Sequence, residues 1–135
     1  MVVYFATPMA STGGESAGAG TPHSFSESKI KRNAEMAEEL RNAGFEVFLP
    51  QENQKRNGVE TLAQQLNVIK NCEFLVILLS DTRGAYLEAG YAKALGKPVY
   101  AVKVKETRAY SDWMDAFFDY IASSARELIA YLKPE

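Results

Sequence analysis

Short apolar runs and segments of helical periodicity alternate along the chain. Four mainly apolar runs have the length of a β-strand, at residues 2–6, 46–49, 74–79 and 99–104. The run 74–79, FLVILL, is apolar throughout, which is typical of a parallel strand covered on both faces. Apolar residues recur at helical spacing between the runs, at 26–43, 59–71 and 85–95. The pattern predicts parallel strands connected by helices, which is the α/β class.

The predicted helices have recognisable ends and inward faces. Gly44 and Gly96 follow the first and third helices, where a left-handed glycine commonly ends a helix, and Pro98 stops the third helix from continuing. The expected inward stripe of the first helix is Ile30, Ala34, Ala37 and Leu40. That of the second helix is Leu62, Ala63, Leu66 and Ile69.

The C-terminal segment 112–133 admits two interpretations. In the first, a short helix at 113–118 precedes a fifth strand at 119–122, and a capping box of Ser124 and Glu127 opens a last helix. In the second, 112–133 is one continuous helix and the sheet has four strands. We expect the first, with five parallel strands in the flavodoxin-like or Rossmann-like order 2-1-3-4-5, right-handed crossovers and helices on both faces.

Residues 7–25 form a long predicted loop that contains four glycines among Ser, Thr and Ala. No Gly-Lys-Ser or Gly-Lys-Thr follows the glycines, so the loop is not a Walker phosphate loop. Because it leaves the carboxyl end of the first strand, we expect a lid over a ligand site, the alternative being a loop disordered in the free protein. The only histidine, His23, lies in it, and we expect it to be solvated and not a metal ligand. Ser24 and Glu27 then form a capping box that opens the first helix.

Length and charge narrow the class of protein. A chain of 135 residues that is 47% hydrophobic can build one core, so we expect a single domain over 1–135. The net charge of −2 argues against binding to a nucleic-acid backbone, which needs a basic face. The single cysteine, Cys72, cannot form an internal disulfide and is expected to be a packed residue in a reducing compartment. With no signal-peptide pattern and no apolar run of membrane-spanning length, we expect a cytoplasmic protein without membrane contact.

Glu88 lies one turn into the third predicted helix, beside the carboxyl end of strand 74–79, where ligands bind in open parallel sheets. Its neighbours three and four residues away are Gly84, Ala85, Tyr91 and Ala92, so it has no helical partner of opposite charge. One interpretation is a surface glutamate near a helix N-terminus. The other is a carboxylate in a cleft of small residues, kept ionised by the helix dipole and available as a nucleophile.

The segment around Glu88 resembles a known family. Residues 81–92, DTRGAYLEAGYA, and 94–99, ALGKPV, are similar to the nucleoside 2-deoxyribosyltransferase family, whose pattern is Asp, Gly, Glu-x-Gly-x-Ala and Gly-Lys-Pro. The first strand with its extension, VVYFATP, matches as well. The resemblance spans most of the chain, and its specific part is 84–98.

The resemblance implies roles for individual residues. Glu88 would be the nucleophile that attacks the anomeric carbon of a nucleoside sugar, and Tyr4 would orient it. Asp81 is the nearest acid, although the second Asp of the family aligns with Thr82. Further candidate substrate-binding residues follow the strand ends or start the third helix: Thr7, Pro8, Gln51, Thr82, Arg83, Gly84 and Ala85. A polar turn is the alternative interpretation for Gln51.

The start of the third helix also suits an anion, because its amide groups are free and its dipole favours negative charge. A 5′-phosphate would bind there, with Arg83 as its charged partner, or on the glycines of loop 7–25. The alternative for Arg83 is a surface salt bridge.

The chain departs from the family pattern at Gln65, where many members carry an Asp. A glutamine can hydrogen-bond a substrate, so Gln65 remains a candidate binding residue, but it cannot act as a general acid at neutral pH. The acid or base step would then rest on Asp81, on Glu88 after its release, or on the acceptor base.

These features lead to one expected function and three alternatives. We expect cleavage of the N-glycosidic bond of a nucleoside or its 5′-monophosphate through a glycosyl-Glu88 intermediate, with transfer of the sugar to another nucleobase and without metal or redox cofactor. The alternatives are hydrolysis by water, a hydrolase that cleaves NAD or a nucleotide sugar, and a non-catalytic nucleotide-binding module on the same fold.

An aromatic cluster near the C-terminus exceeds what one short helix can bury. It comprises Tyr110, Trp113, Phe117, Phe118 and Tyr120. The resembled family is typically dimeric or larger, which implies a homodimer or higher homo-oligomer with part of this cluster at the interface.

Overall fold

The computed structural model describes residues 2–8, 27–55, 57–80, 83–108 and 111–133. These residues form five strands, β1 (Val2–Ala6), β2 (Glu46–Phe48), β3 (Phe74–Leu79), β4 (Val99–Lys103) and β5 (Tyr120–Ala122). They also form five α-helices, α1 (Glu27–Asn42), α2 (Gly58–Asn71), α3 (Arg83–Ala94), α4 (Asp112–Phe117) and α5 (Ala125–Leu132). A 3-10 turn, Pro50–Glu52, follows β2.

The five strands form one parallel sheet in the order β2-β1-β3-β4-β5, which confirms the predicted flavodoxin-like arrangement. β1 lies between β2 and β3, and its last residue, Ala6, is paired with Ile77 of β3. The chain order reverses at β1, and open α/β sheets bind ligands at such a reversal, outside the carboxyl ends of the strands. The carboxyl ends of β1, β2 and β3 therefore form the edge where a site is expected.

Helices cover both faces of the sheet and create two apolar layers. One layer joins α2 and α3 to the sheet through residues such as Ile69, Leu75 and Ala89. The other joins α1 and α5 to the opposite face through residues such as Leu40 and Leu128. Side chains of β1 alternate between the layers, as the two-residue period of a strand requires: Tyr4 and Ala6 face the first layer, and Val3 and Phe5 face the second.

The ends of α1 and α3 are closed in the same way. Gly44 and Gly96 have φ of 100° and 79°, the left-handed conformation that glycine adopts at little cost. After α1, the amide of Gly44 donates to Arg41 O and that of Phe45 donates to Leu40 O, at 2.9 and 3.1 Å. The amides of residues 96 and 97 make the equivalent bonds after α3. Both ends are Schellman motifs, as the glycine positions predicted.

The C-terminal segment contains a helix, a strand and a helix, so the continuous helix over 112–133 is wrong. Asp119 interrupts it: its backbone amide donates to Val99 O, and its carboxylate accepts from Val99 N, both at 2.8 Å. These bonds draw the following residues into the sheet as β5. Ser124 then caps α5, because its hydroxyl accepts from the amide of Glu127 at 3.0 Å.

The predicted inward stripes are only partly correct. On α2, Ile69 is buried, but Leu62 is 55% exposed and Ala63 is exposed as well. The last turns of α2 pack on the sheet, and the described residues leave its first turns uncovered. On α1, Ala37 and Leu40 are buried as expected, and the remaining two stripe residues are half-buried.

The structure also bears on the expectations for Cys72, for membrane-spanning segments and for loop 7–25. Cys72 is fully buried, as predicted for a packed residue, and burial raises the pKa of its thiol. Within the described ranges, no helix combines the length and the apolar character needed to cross a membrane. Loop 7–25 and His23 lie outside the described residues except for Thr7 and Pro8, and the predicted capping box at Ser24 lies outside them too.

Candidate active site

Tyr4 and Glu88, which are 84 positions apart in sequence, meet at the carboxyl edge of the sheet. The hydroxyl of Tyr4 donates a hydrogen bond to Glu88 Oε2 at 2.5 Å. Tyr4 is fully buried in the middle of β1, and its ring stacks on Phe48 of β2 with centroids 5.4 Å apart. Strand β1 therefore supplies a rigid donor, and its packing fixes the direction in which the hydroxyl points.

The sequence of α3 explains why Glu88 faces the sheet. Ala85, Ala89 and Ala92 are buried, and together with position 88 they follow the i, i+3, i+4, i+7 spacing of one helix face. Because the buried residues are small, α3 packs close to the sheet, and Glu88 is carried into the cleft beside β1. Glu88 is half-buried and hydrogen-bonded, so the interpretation as a solvated surface glutamate is wrong.

Burial sets the charge state of this pair. Desolvation raises the pKa of Glu88 from its ordinary value to about 7, and the hydrogen bond from Tyr4 opposes that rise. Burial also raises the pKa of Tyr4, and the adjacent carboxylate raises it further. Tyr4 is therefore a neutral donor at any working pH. The expectation that the helix dipole keeps Glu88 ionised stays a prediction, and desolvation acts against it.

Five of the candidate site residues, at positions 81–85, follow β3 in the sequence or start α3. Helix α3 begins at Arg83, and Arg83 and Gly84 are exposed while Ala85 is buried against the core. A Cβ added at Gly84 would meet no atom of the described residues within 4 Å. Asp81 and Thr82 lie outside the described residues.

Thr7 and Gln51 follow β1 and β2 at the same edge. Thr7 is 8% exposed, and its hydroxyl has no hydrogen-bond partner among the residues described. Gln51 is half-buried, and its side chain makes two hydrogen bonds to α1. Its Nε2 donates to Ile30 O at 3.0 Å, and its Oε1 accepts from Asn33 Nδ2 at 3.1 Å. A buried hydroxyl without a partner is unusual, because its removal from water is unfavourable unless a hydrogen bond compensates for the lost hydration.

Gln65 lies half-buried on α2, one turn before the buried Ile69. Its neighbour Gln64 has a buried carbonyl oxygen without a hydrogen-bond partner in the described part of the chain. Neither Gln51 nor Gln65 hydrogen-bonds Tyr4 or Glu88 within that part. The structure therefore brings Tyr4 and Glu88 into direct contact, and none of the other described candidates makes a hydrogen bond to either of them.

Asn33 is a polar residue of the site region that the sequence pattern did not reveal. It is fully buried on α1, and its Nδ2 donates both to Pro8 O at 2.7 Å and to Gln51 Oε1 at 3.1 Å. The spacing of apolar residues predicted Ile30 and Ala34 at the inward face instead. The only available signal was that Asn33 lies four residues before the inward Ala37.

A charged cluster on the α1 side of the edge was also missed. Arg32 Nη1 contacts both carboxylate oxygens of Glu106, at 2.7 and 3.0 Å, and the hydroxyl of Ser80 donates to the same carboxylate at 3.3 Å. Desolvation alone would raise the pKa of Glu106, but the bonds and charge of Arg32, aided by Lys29, lower it overall. The cluster connects α1 to the segment after β4, 74 positions apart.

An apolar groove of about 190 Å³ lies between α3 and α4. Its lining is formed by Tyr86, Ala89, Gly90, Trp113, Met114, Phe117 and Phe118. Neither Tyr4 nor Glu88 lines the groove, although Ala89 shares a helix face with Glu88. No group of three or more His, Cys, Asp or Glu side chains that could hold a metal ion occurs in the described ranges.

Comparisons with solved structures agree with the fold. A 2-deoxyribosyltransferase from Bacillus psychrosaccharolyticus has a TM-score of 0.76 at 20% identity, over 97% of this chain and 92% of that one. The CMP N-glycosidase BcmB of Clostridium botulinum has a TM-score of 0.61 at 17% identity, over 98% of both chains. A 2-deoxyribosyltransferase from Leishmania mexicana has a TM-score of 0.55 at 19% identity, over 76% of this chain and 63% of that one.

Sequence comparison identifies the family. No curated protein sequence matches the chain significantly. The family model of the nucleoside 2-deoxyribosyltransferases matches residues 19–126, a stretch that includes Glu88 and begins after Tyr4. Because this match covers most of the chain, the protein belongs to the nucleoside 2-deoxyribosyltransferase family, a family of enzymes that act on nucleosides or nucleotides.

Proposed function

We propose that this enzyme cleaves the N-glycosidic bond of a nucleoside or nucleoside 5′-monophosphate through a covalent glycosyl-Glu88 intermediate and transfers the sugar to another nucleobase. The observation that carries the proposal is the 2.5 Å hydrogen bond between Tyr4 and Glu88 at the carboxyl edge of the sheet. A carboxylate that is half-buried, oriented and without a cationic neighbour in its helix suits nucleophilic attack. Family membership favours this enzymatic role over a non-catalytic nucleotide-binding module.

The proposed reaction consists of two successive displacements at C1′ of the sugar. In the first, a carboxylate oxygen of Glu88 forms a bond to C1′ while the bond from C1′ to the base nitrogen breaks, and the base leaves with that electron pair and takes up a proton. In the second, a ring nitrogen of the incoming base bonds to C1′, the ester bond to Glu88 breaks, and the incoming base loses a proton. Both steps pass through an oxocarbenium-like transition state, as in retaining glycosidases.

Tyr4 positions the nucleophile in this mechanism. Its hydroxyl donates a hydrogen bond to Oε2 of Glu88, and Oε1 has no hydrogen-bond partner within the described residues. One oxygen is thus held while the other is available to C1′. The same hydrogen bond stabilises the ionised carboxylate, which lowers the pKa of Glu88 towards the working range. Asp81 is the proposed proton donor and acceptor for the bases, since the amide of Gln65 cannot fill that role.

The helix start at Arg83, Gly84 and Ala85 is the proposed binding position of a 5′-phosphate. The exposed position of Arg83 and Gly84 at the start of α3 supports it, since no atom of the described residues lies within 4 Å of a Cβ added at Gly84. A nucleoside and its 5′-monophosphate should then differ in kcat/KM, and Arg83→Ala should reduce the difference. Equal values for both substrates, unchanged by the substitution, would exclude a phosphate site at this helix.

Base release decides the enzymatic proposal. A panel of nucleosides, 5′-monophosphates, NAD and a nucleotide sugar would be incubated with the enzyme, and free base measured by chromatography. Glu88→Ala should abolish release, whereas the control Glu35→Gln, an exposed glutamate on α1, should leave it unchanged. If Glu88→Ala retains about a tenth or more of the turnover, a loss smaller than that of a true nucleophile, the assignment of Glu88 is wrong.

Transfer and hydrolysis share the glycosyl-Glu88 intermediate, and a second substrate separates them. We expect transfer, because an acceptor base brings its own ring nitrogen as nucleophile, whereas water must be activated by a general base. The test is to supply one deoxynucleoside with a different free base. A new nucleoside supports transfer; free sugar that accumulates at a rate indifferent to the added base would show a hydrolase.

A further inference from the structure

We propose that Asn33 is a positioning residue: it fixes the orientation of the Gln51 side-chain amide and thereby the donor and acceptor that this edge of the site presents to the nucleobase. The inference rests on the proposed function, because it assigns the base-reading group of the same site. Asn33 itself is fully buried and does not contact the substrate.

Asn33 uses both of its amide hydrogens on this edge. One is donated to Pro8 O at 2.7 Å and the other to Gln51 Oε1 at 3.1 Å. A primary amide has two hydrogens on nitrogen, so the donor capacity of Asn33 is fully used. The oxygen of Asn33 accepts from Arg32 Nη2 at 3.4 Å, which opposes a flip of the Asn33 amide.

The same contacts determine the orientation of Gln51. Its Oε1 must face Asn33, because Asn33 offers hydrogens there, and its Nε2 must face Ile30 O, to which it donates at 3.0 Å. Turning the Gln51 amide by half a turn would set two amide nitrogens against each other and an oxygen against a carbonyl. The network therefore permits one orientation of Gln51.

This orientation leaves Gln51 with one free hydrogen on Nε2 and one free lone pair on Oε1 within the described part of the chain. Gln51 is half-buried and follows β2 at the carboxyl edge, and β2 is paired to the strand that carries Tyr4. A fixed donor beside a fixed acceptor can distinguish an amino group from a carbonyl group on the edge of a base. We therefore expect Gln51 to discriminate between amino-bearing and oxo-bearing bases of the same ring size.

The experiment compares kcat/KM for substrate pairs that differ in this group, cytosine against uracil and adenine against hypoxanthine. Asn33→Ala releases Gln51 and should reduce the larger of the two discrimination ratios about tenfold, the effect of one hydrogen bond. In the Gln51→Ala background, Asn33→Ala should change the ratio no further, because it acts through Gln51. Asn53→Ala is the matched control, since its amide supports the same turn through Leu49 O but does not contact Gln51.

Gln51→Glu provides a variant that keeps Asn33 satisfied. Its carboxylate still accepts from Asn33 but offers no hydrogen to the base, so the preference within a pair should move towards the amino-bearing base. The proposal is overturned if Asn33→Ala leaves the ratio within about twofold of wild type, less than one hydrogen bond contributes. It is also overturned if Asn33→Ala alters the ratio equally when Gln51 is absent.

A structural readout separates this inference from the proposed function. In NMR spectra, the Gln51 Nε2 hydrogen that is donated to Ile30 O should exchange slowly with solvent in the wild type, faster in Asn33→Ala and at the wild-type rate in Asn53→Ala. An unchanged exchange rate in Asn33→Ala would overturn the positioning role whatever the activity. If the wild type releases no base from any substrate, the proposed function and the base-reading role both fail.

Discussion

At the scale of single residues, the proposed chemistry rests on a tyrosine hydroxyl and a glutamate carboxylate that are 2.5 Å apart. Glu88 could be singled out from its sequence alone, because a carboxylate among Gly84, Ala85, Tyr91 and Ala92 has no helical partner. The pKa of Glu88 could not be predicted from the sequence, because desolvation depends on how closely α3 approaches the sheet. Burial raises that pKa to about 7, where a small change in surroundings changes the charge of the proposed nucleophile.

The first prediction concerns the pH dependence of catalysis. Because the nucleophile must be ionised, kcat/KM should rise with pH and level off above a pH of about 7. Tyr4→Phe keeps the ring that stacks on Phe48 but removes the bond that lowers the pKa of Glu88, so the rise should move to higher pH. Steady-state kinetics across the pH range measure both curves. A Tyr4→Phe curve that coincides with that of the wild type after scaling would contradict the positioning role of Tyr4.

The second prediction follows from linkage between protonation and folding. Folding raises the pKa of Glu88 from 4.5 to about 7, so between these values the folded state binds more protons than the unfolded state and stability falls as pH rises. Glu88→Gln is neutral and can still accept from Tyr4. It should unfold with a free energy higher by up to about 3 kcal/mol near pH 8, and with little difference near pH 4, below the unfolded pKa.

Urea unfolding at the two pH values measures this difference, with Glu35→Gln as the control. Glu35 is exposed, so its substitution should have an effect below about 0.5 kcal/mol at both values. A Glu88→Gln variant that is less stable than wild type above neutral pH would show that the buried carboxylate is compensated by a partner.

At the scale of elements, the ends of the helices could be predicted from local sequence signals, whereas the burial of their side chains could not. The glycines after α1 and α3 adopt the left-handed conformation that a helix end requires, and that requirement is local. The inward face of α2 was mispredicted at Leu62 and Ala63, because periodicity shows which residues share a face but not how far a neighbour covers it. The buried Asn33 on α1 was missed for the same reason: its partners, Pro8 and Gln51, are distant in sequence.

The third prediction tests the division of the C-terminal segment into α4, β5 and α5. Ser124→Ala removes the cap of α5 and should cost about 1 kcal/mol of stability. Ser123→Ala is the control, because Ser123 bonds Glu127 through its backbone amide, which the substitution keeps. Thermal or urea unfolding gives both values. In a continuous helix Ser124 would be an interior position, where alanine stabilises by about 0.5 kcal/mol, so a gain would contradict the structure.

At the scale of the whole molecule, the predicted strand order was confirmed because it follows from chain connectivity and handedness. What the sequence could not show is how the two faces of the sheet meet at its carboxyl edge. The pairing of Arg32 with Glu106 and the exposure of Trp113 at 69% both depend on that assembly. The fold thus brings Tyr4 and Glu88 together and separately joins α1 to the segment after β4 through the charged cluster.

The fourth prediction is assembly into a homodimer or larger homo-oligomer, which we propose from the exposed apolar side chains. Trp113 is 69% exposed, Leu87 75% and Val59 80%, and burial of Trp113 in a subunit interface would remove the largest of these side chains from water. Sedimentation velocity should show a species larger than a monomer, and Trp113→Ser should weaken it if the aromatic cluster forms the interface. A wild type that sediments as a monomer at assay concentrations would refute the proposal.

The central claim is that the sugar becomes covalently attached to Glu88. A nucleoside that carries fluorine at C2′ destabilises the oxocarbenium-like transition states of both displacements, so the glycosyl-enzyme can accumulate and be weighed. Mass spectrometry of the treated protein should show one added fluorodeoxyribosyl group, located by peptide fragmentation on Glu88 and absent from Glu88→Gln. Release of base without any adduct, or an adduct on Asp81 that persists in Glu88→Gln, would contradict the account.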